Sequence, residues 1–192
     1  MTEHHDTGTK ILAIVGLTGS GKSEVVNYVT EKGVPKVYFG GVILGAMKEA
    51  GIEWTAENEK QFREDIRAQE GKDFVVNRIV KEIRDLIAAG QRRIVADGLY
   101  TWTEYKILKH EFPGELTVAA VVAPKNLRHH RLTNRPIRPL TVEEANSRDW
   151  AEIENLEKGG PIAIADHYLT NEGSLDTLHK QVDQLLDETR FL

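Results

Sequence analysis

Residues Gly16-Leu17-Thr18-Gly19-Ser20-Gly21-Lys22-Ser23 have the spacing G-x-x-x-x-G-K-S. Glycines let a backbone wrap closely around a phosphate, so that several N–H groups point inward and the start of a following helix adds its positive end. In that setting Lys22 reaches the β- and γ-phosphates of a nucleoside triphosphate, and Ser23 ligates Mg²⁺. The plain alternative is a glycine-rich turn with no ligand. The flanks argue against it: an apolar run, residues 11–15 (ILAIV), ends where the loop begins, and a helix-like stretch opens at Lys22. The overlapping glycines do not make a dinucleotide-binding loop, because Glu24 stands where its third glycine belongs.

A carboxylate at the end of a strand beside such a loop can hold the Mg²⁺ shell, and Asp97 closes the strand-like segment Arg-Ile-Val-Ala-Asp. The ordinary alternative is a turn aspartate, since Gly98 follows. Further on, residues 116–142 contain no Asp or Glu but carry Lys125, Arg128, Arg131, Arg135 and Arg138, with His129 and His130. Two readings compete: a solvated or nucleic-acid-binding face, and a flap that closes arginines over transferring phosphates. Arg128, Arg131 and Arg135 fall at i, i+3 and i+7, on one side of a helix, and arginine offers planar paired donors suited to phosphate. With a phosphate loop in the same chain, the flap is favoured. The two histidines read as bystanders. Arg148 is a further flap candidate that could instead pair with Asp149 or Glu152.

The elements that must position these groups alternate along the chain. After the first strand come a helix over 22–32 ended by Gly33, a short strand over 36–39, and helical stretches over 42–50, 55–69 and 73–89. Further strands are expected over 93–96, 117–122 and 167–170. Val75, Ile79, Ile83, Leu86 and Ile87 sit at helical spacing, with Gly90 just past the end. Thr101 with Glu104, and Thr141 with Glu144, have capping-box spacing and open helices toward Glu111 and Leu156. Ser174 caps a last helix whose apolar stripe is Leu175, Leu178, Val182, Leu185 and Leu186. Strands alternating with helices imply an α/β protein with a parallel sheet covered on both faces.

A length of 192 residues fits one domain, placed here over 10–192 behind a polar, disordered lead-in over 1–9. The absence of cysteine excludes a disulfide framework, a Cys-ligated metal site and a thiol nucleophile. No apolar run approaches the roughly 20 residues needed to span a bilayer. The first ten residues lack the apolar stretch of a signal peptide, so a cytoplasmic protein is expected. A net charge of −5 argues against a dedicated binder of nucleic acid or anionic membrane.

Taken together, these residues resemble the P-loop nucleoside-monophosphate-kinase-like family, closest to dephospho-CoA kinase and its kinase-like relatives. The phosphate loop resembles the family's opening, Asp97-Gly98 its second acidic motif, and Arg131-Leu-Thr-Asn-Arg135 its lid R-x-x-x-R. The most specific block is Ala165-Asp-His-Tyr-Leu-Thr-Asn171-Glu-Gly173-Ser-Leu175, similar to the family's A-D-x-x-I-x-N-x-G-S-L ending. The resemblance spans roughly 11–186. It implies a P-loop NTPase three-layer sandwich with a five-stranded sheet of order 2-3-1-4-5, a mobile helical lid over about 134–160, and an acceptor-binding helical region over about 40–90. It also implies ATP, held with Mg²⁺, with its adenine near Arg131 and the loop from Asn171 to Gly173.

Two departures bear on the acceptor. Dephospho-CoA kinases carry an Asp just after the second strand, suited to activating a hydroxyl; here that region is Tyr38-Phe39-Gly40-Gly41. The kinase-like relatives tend to show Asp-Gly-x-Arg after the third strand; here Tyr100 replaces the Arg. A hydroxyl acceptor benefits from a base, whereas a phosphate acceptor is already ionised and needs arginines. The missing acid therefore raises an acceptor that carries phosphate. Arg63 and Arg67, four apart on one helix face, are candidates to hold it, with Arg78 a third; surface salt bridging with nearby acids is the alternative. Trp54, Tyr100, Trp102 and Trp150 could stack on an acceptor ring or simply pack.

The sequence thus points to a phosphotransferase that passes the γ-phosphoryl of MgATP to a small nucleotide-like acceptor, a nucleoside monophosphate or a dephospho-CoA-like molecule. Lys22, Asp97, Arg131, Arg135 and Arg148 would be catalytic, with Ser23 and Asp97 at the metal. Gly16, Thr18, Gly19, Ser20, Gly21, Lys22, Ser23, Glu24, Arg131, Asn171 and Gly173 would hold the nucleotide, and Arg63, Arg67 and Tyr100 the acceptor. The rival reading is a nucleotide-dependent ATPase or switch acting on a protein partner; a kinase acting on nucleic acid is disfavoured by the charge.

Overall fold

The structure, a computed structural model, describes residues 8–71 and 73–192, with the backbone alone for Ala56, Lys60, Arg63 and Arg67. Residues 1–7, most of the expected lead-in, lie outside the described residues. Five strands, β1 (Lys10–Val15), β2 (Lys36–Tyr38), β3 (Arg93–Asp97), β4 (Leu116–Val122) and β5 (His167–Thr170), form one parallel sheet in the order β2-β3-β1-β4-β5. This is the expected α/β P-loop arrangement.

The helices are α1 (Lys22–Glu31), α2 (Val42–Glu49), α3 (Ala56–Glu70), α4 (Phe74–Ala88), α5 (Trp102–Glu111), α6 (Lys125–Asn134), α7 (Val142–Glu154), α8 (Gly159–Ala163) and α9 (Leu175–Glu188). Side chains alternate across a strand, and β1 shows why the sheet must be covered twice. Ile11, Ala13 and Val15 pack toward Ile79 and Ile83 of α4 and Leu108 of α5. Leu12 and Ile14 pack the other way, with Val25 and Val29 of α1 and Leu178 and Val182 of α9. Each large apolar side chain so buried contributes about 1.5–3 kcal/mol. The central strand, at the carboxyl end of which the phosphate loop starts, is therefore held from both faces.

Both capping boxes form. Thr101 Oγ1 accepts from Glu104 N at 3.0 Å while Glu104 Oε2 accepts from Thr101 N at 2.8 Å. Thr141 and Glu144 do the same at 3.2 and 2.7 Å, and Ser174 Oγ accepts from Thr177 N at 3.2 Å. One helical expectation differs. The helix carrying Arg128 and Arg131 stops at Asn134, and Arg135 takes an extended conformation (φ −69°, ψ 143°). Pro136 follows, and a residue before proline is pushed out of the helical region. Among the described residues no helix is long and apolar enough to cross a membrane.

Candidate active site

The loop between β1 and α1 is built so that only glycine fits at its corners. Gly16 has φ 147°, and a Cβ there would stand 2.5 Å from the Val121 carbonyl oxygen. Gly21, at the N-cap of α1, has φ 101°, and a Cβ there would collide with Asn171 Nδ2. Lys22 opens α1 and folds back over the loop, donating to the Gly16 carbonyl at 2.8 Å. Burial, reinforced by the neighbouring Lys158 ammonium, pulls the Lys22 pKa down to about 8 against the opposing pull of Glu152 and Asp97.

Two clefts meet on this loop. One, of about 580 Å³, is lined by Gly19, Glu24, Arg131, Asn171 and Gly173 among others. The second, of about 1040 Å³, lies between the end of β3, the Tyr38–Gly40 turn and α7, and is lined by Asp97, Tyr100, Arg148 and Lys158 among others. Thr18, Lys22, Ser23 and Arg135 line both. Lys22, Ser23 and Arg135 therefore face the place where contents of the two clefts would touch.

Of the expected nucleotide residues, all but Gly16 and Ser20 line the smaller cleft. Arg131 donates to the Asn171 carbonyl at 2.9 Å and its Oδ1 at 3.2 Å, and Asn171 Nδ2 donates to the Ser20 carbonyl at 2.8 Å. These bonds tie the loop after β5 to the phosphate loop. Ser20 turns its hydroxyl inward, where it finds no hydrogen-bond partner among the described residues. Arg148 donates to Thr18 Oγ1 at 3.2 Å and lies 3.6 Å from Glu152. Arg135 donates through Nε to the Arg138 carbonyl at 2.7 Å. Arg138 itself points away from the loop, its guanidinium 5.9 Å over the Trp54 ring.

Tyr100 lines the second cleft; burial, then the adjacent Tyr38, push its phenol well above the ordinary range. Arg78 does not reach that cleft: it pairs with Glu49 at 3.6 Å and lies over Phe74. Arg63 and Arg67 belong to α3, and their side chains lie outside the described residues. Trp102 stacks on Tyr105, and Trp150 is exposed.

Arg128 has a different task from the one its spacing suggested, and His129, read as a bystander, shares it. Arg128 is buried, bonds the Asp149 carboxylate through both terminal nitrogens at 2.7 and 2.8 Å, and donates to the Thr18 carbonyl at 3.0 Å. His129 Nε2 lies 2.9 Å from the same carboxylate. Burial raises the Asp149 pKa, but these hydrogen bonds outweigh it and hold the carboxyl below its ordinary value.

Sequence reasoning named Glu152 only as an alternative partner of Arg148, which it does approach at 3.6 Å, and passed over Lys158. Glu152 accepts from Thr18 N at 2.9 Å and from the Thr18 hydroxyl, and pairs with Lys158 at 2.7 Å. The signal available for Glu152 was its place four residues after Arg148, and it pointed to that arginine rather than to the loop.

A hard cation would find a fitting donor set here. Mg²⁺ takes one or two protein oxygens and fills its shell with phosphates and water. Ser23 supplies a hydroxyl on the loop, and Asp97 ends β3 in register with Ile14 of β1. The Asp97 carboxylate accepts no hydrogen bond among the described residues, and burial pushes its pKa up, opposed by Lys36 and Lys22. An oxygen donor without a partner beside a phosphate loop suits that role.

No protein-family model matches the chain. A UPF0200 protein of Thermococcus kodakarensis is 33% identical over 181 residues, which cover 93% of this chain and 97% of that one. The chain belongs to the UPF0200 family. A second UPF0200 protein, from Sulfurisphaera tokodaii, is 34% identical over 182 residues, covering 92% of this chain and 96% of that relative. Among solved structures, this UPF0200 chain is similar to TT1252 of Thermus thermophilus (TM-score 0.61, 23% identity, 94% and 97% of the two chains covered). It is similar also to shikimate kinase from Acinetobacter baumannii (0.57, 18%, 95% and 95%) and dephospho-CoA kinase from Campylobacter jejuni (0.55, 14%, 94% and 97%). The UPF0200 fold is therefore P-loop kinase-like. The likeness extends across kinases with different names, so it does not single out dephospho-CoA kinase.

Proposed function

We propose that this UPF0200 protein is a phosphotransferase that binds MgATP in the smaller cleft and passes its γ-phosphoryl to a small nucleotide-like acceptor in the larger one. The observation that carries this reading is the pair of clefts sharing Thr18, Lys22, Ser23 and Arg135. A hydrolase needs one cleft and water; a transferase needs two substrates held end to end. Glycine corners and the start of α1 would cradle the phosphates. Arg131, braced on Asn171, would face the base and ribose. Lys22 and Arg135 would offset charge on the moving group, and Arg148 would approach from the acceptor side. Ser23 and Asp97 would hold Mg²⁺, which would neutralise charge on the phosphates.

The acid that activates a hydroxyl in dephospho-CoA kinases has no counterpart after β2, where Tyr38, Phe39 and Gly40 line the larger cleft. Cationic Arg135, Arg148 and Lys158 line it too, whereas its carboxylates Glu59, Glu104, Glu144 and Glu152 each already accept a hydrogen bond from the protein. This favours an acceptor that is already anionic, such as a nucleoside monophosphate. Release of ADP from MgATP, measured against nucleoside monophosphates, deoxynucleoside monophosphates, nucleosides and dephospho-CoA, tests the proposal. Stimulation by a phosphate-bearing class is expected. Tight ATP binding with no stimulation by any acceptor would overturn it in favour of an ATPase or switch.

A further inference from the structure

Lys158 stands between α7 and α8 and is 5% exposed, yet it lines the larger cleft beside Lys22. Its ammonium donates to Glu152 Oε1 at 2.7 Å and lies 4.7 Å above the Tyr100 ring. An ammonium carries three donors. Among the described residues Glu152 is the one hydrogen-bond partner of this side chain, so two donors remain for something in the cleft.

Glu152 cannot turn to satisfy them. Its carboxylate is fixed on the far side by the Thr18 N–H and hydroxyl. Glu104, the acid on the α5 side, is committed to the N–H groups of Tyr100 and Thr101, both at 2.8 Å. Arg148 adds a further positive charge at Thr18. Glu144 and Glu59, which also line the cleft, accept from Thr141 N at 2.7 Å and Trp54 Nε1 at 3.0 Å, and Asp97 sits at the position suited to Mg²⁺. A buried cation with unused donors is costly unless an anion arrives. Here the anion would come to the place that Lys22 also faces, the junction of the two clefts.

We propose that Lys158 is a second phosphoryl-binding lysine: while anchored to Glu152 it offers its remaining hydrogens to the terminal phosphate that Lys22 holds from the opposite side. Glu152 is the positioning residue, coupling Lys158 to Thr18 of the loop. The inference rests on the phosphotransferase reading, because it needs a nucleoside triphosphate in the smaller cleft. It makes the protein discriminate tri- from diphosphate through a residue outside the glycine-rich motif.

Calorimetric titration of the full chain with MgADP and with the Mg²⁺ complex of a β,γ-imido ATP analogue separates the possibilities. If the wild type binds neither, the phosphotransferase reading itself fails. If it binds both, Lys158→Met is expected to weaken the analogue about tenfold or more, the value of a charge-assisted hydrogen bond, and to leave ADP within about twofold. The single variant strands the Glu152 carboxylate, so the double variant Glu152→Gln/Lys158→Met, which leaves no buried charge unpaired and frees only the exposed Arg148, decides the matter. Selective loss of the analogue in the double variant supports the proposal. An unchanged ratio of the two affinities overturns it and leaves Lys158 as a brace.

Discussion

Glu152 of α7 takes two hydrogen bonds from one residue of the phosphate loop, Thr18: the backbone N–H at 2.9 Å and the side-chain hydroxyl. Thr18 gives its carbonyl to Arg128, which is locked to Asp149 one turn earlier on α7. A helix far along the chain thus sets the shape of the loop that follows β1. Both carboxylates are buried, so the loop geometry depends on charge pairs as much as on glycines.

The buried carboxylates predict acid lability. Asp149 and Glu152 have folded pKa values below their ordinary 3.8 and 4.5, because hydrogen bonds from Arg128, His129, Lys158 and Thr18 outweigh burial. The unfolded chain then binds more protons in that range, so their stabilisation is complete above about pH 5 and is lost as pH falls through and below these values. Asp149→Asn should cost about 3–5 kcal/mol near neutral pH, since it strands the Arg128 charge. It should also flatten the acid limb of the urea midpoint against pH; a limb as steep as in the wild type would refute the assignment.

Lys22→Ala should abolish transfer and spare the fold. The side chain is half-buried and makes two carbonyl hydrogen bonds, at 2.8 and 3.4 Å, whose loss is small beside the removal of a partly desolvated cation. Steady-state turnover should fall by at least about 100-fold, with the melting temperature nearly unchanged. Retained turnover would place the chemistry elsewhere.

Gly21→Ala tests the closeness of the loop to the segment after β5. A methyl there meets Asn171 Nδ2 and must adopt φ near 101°, so about 1–3 kcal/mol of stability is expected to go, with nucleotide affinity. Companion substitution Asn171→Ala should recover the steric part and not the backbone part. Full stability in the single variant would mean that the two segments are not in contact.

Arg138 should act on turnover through Arg135. Its φ is 52°, its carbonyl receives Arg135 Nε, and its guanidinium lies over Trp54. Arg138→Ala frees the turn from Trp54 and should lower kcat about two- to fivefold at constant KM for ATP, matching a partly exposed cation–π contact. A shift of Trp54 emission, in a Trp102→Phe/Trp150→Phe background, should accompany it. If emission shifts and kcat does not, the turn does not position Arg135.

Much of the architecture was legible in the residues because its causes are local. Apolar runs ended by glycine, two capping boxes and a Ser cap mark where elements start and stop, and these signals act within a few residues. Arg135 shows where local reasoning stops short: helical spacing put it beside Arg128 and Arg131, but Pro136 forces it out and turns it to the junction of the clefts. Arg128 shows a second kind of failure. Its type suggested phosphate, and a carboxylate 21 residues away claimed it first.

The sequence by itself determined the phosphate loop, the strand-end Asp97, the order of elements and hence the two-sided sheet, since glycine conformations, period-two apolar strands and caps are properties of short segments. Only the tertiary structure decided which charges face the cleft and which face each other. Arg128 and Arg131, on one helix, meet different partners, and Glu152, paired with Lys158, joins the loop from a helix more than a hundred residues away. Charge pairing acts through space and is settled by burial, so residue type alone does not say which partner an arginine or a carboxylate will meet.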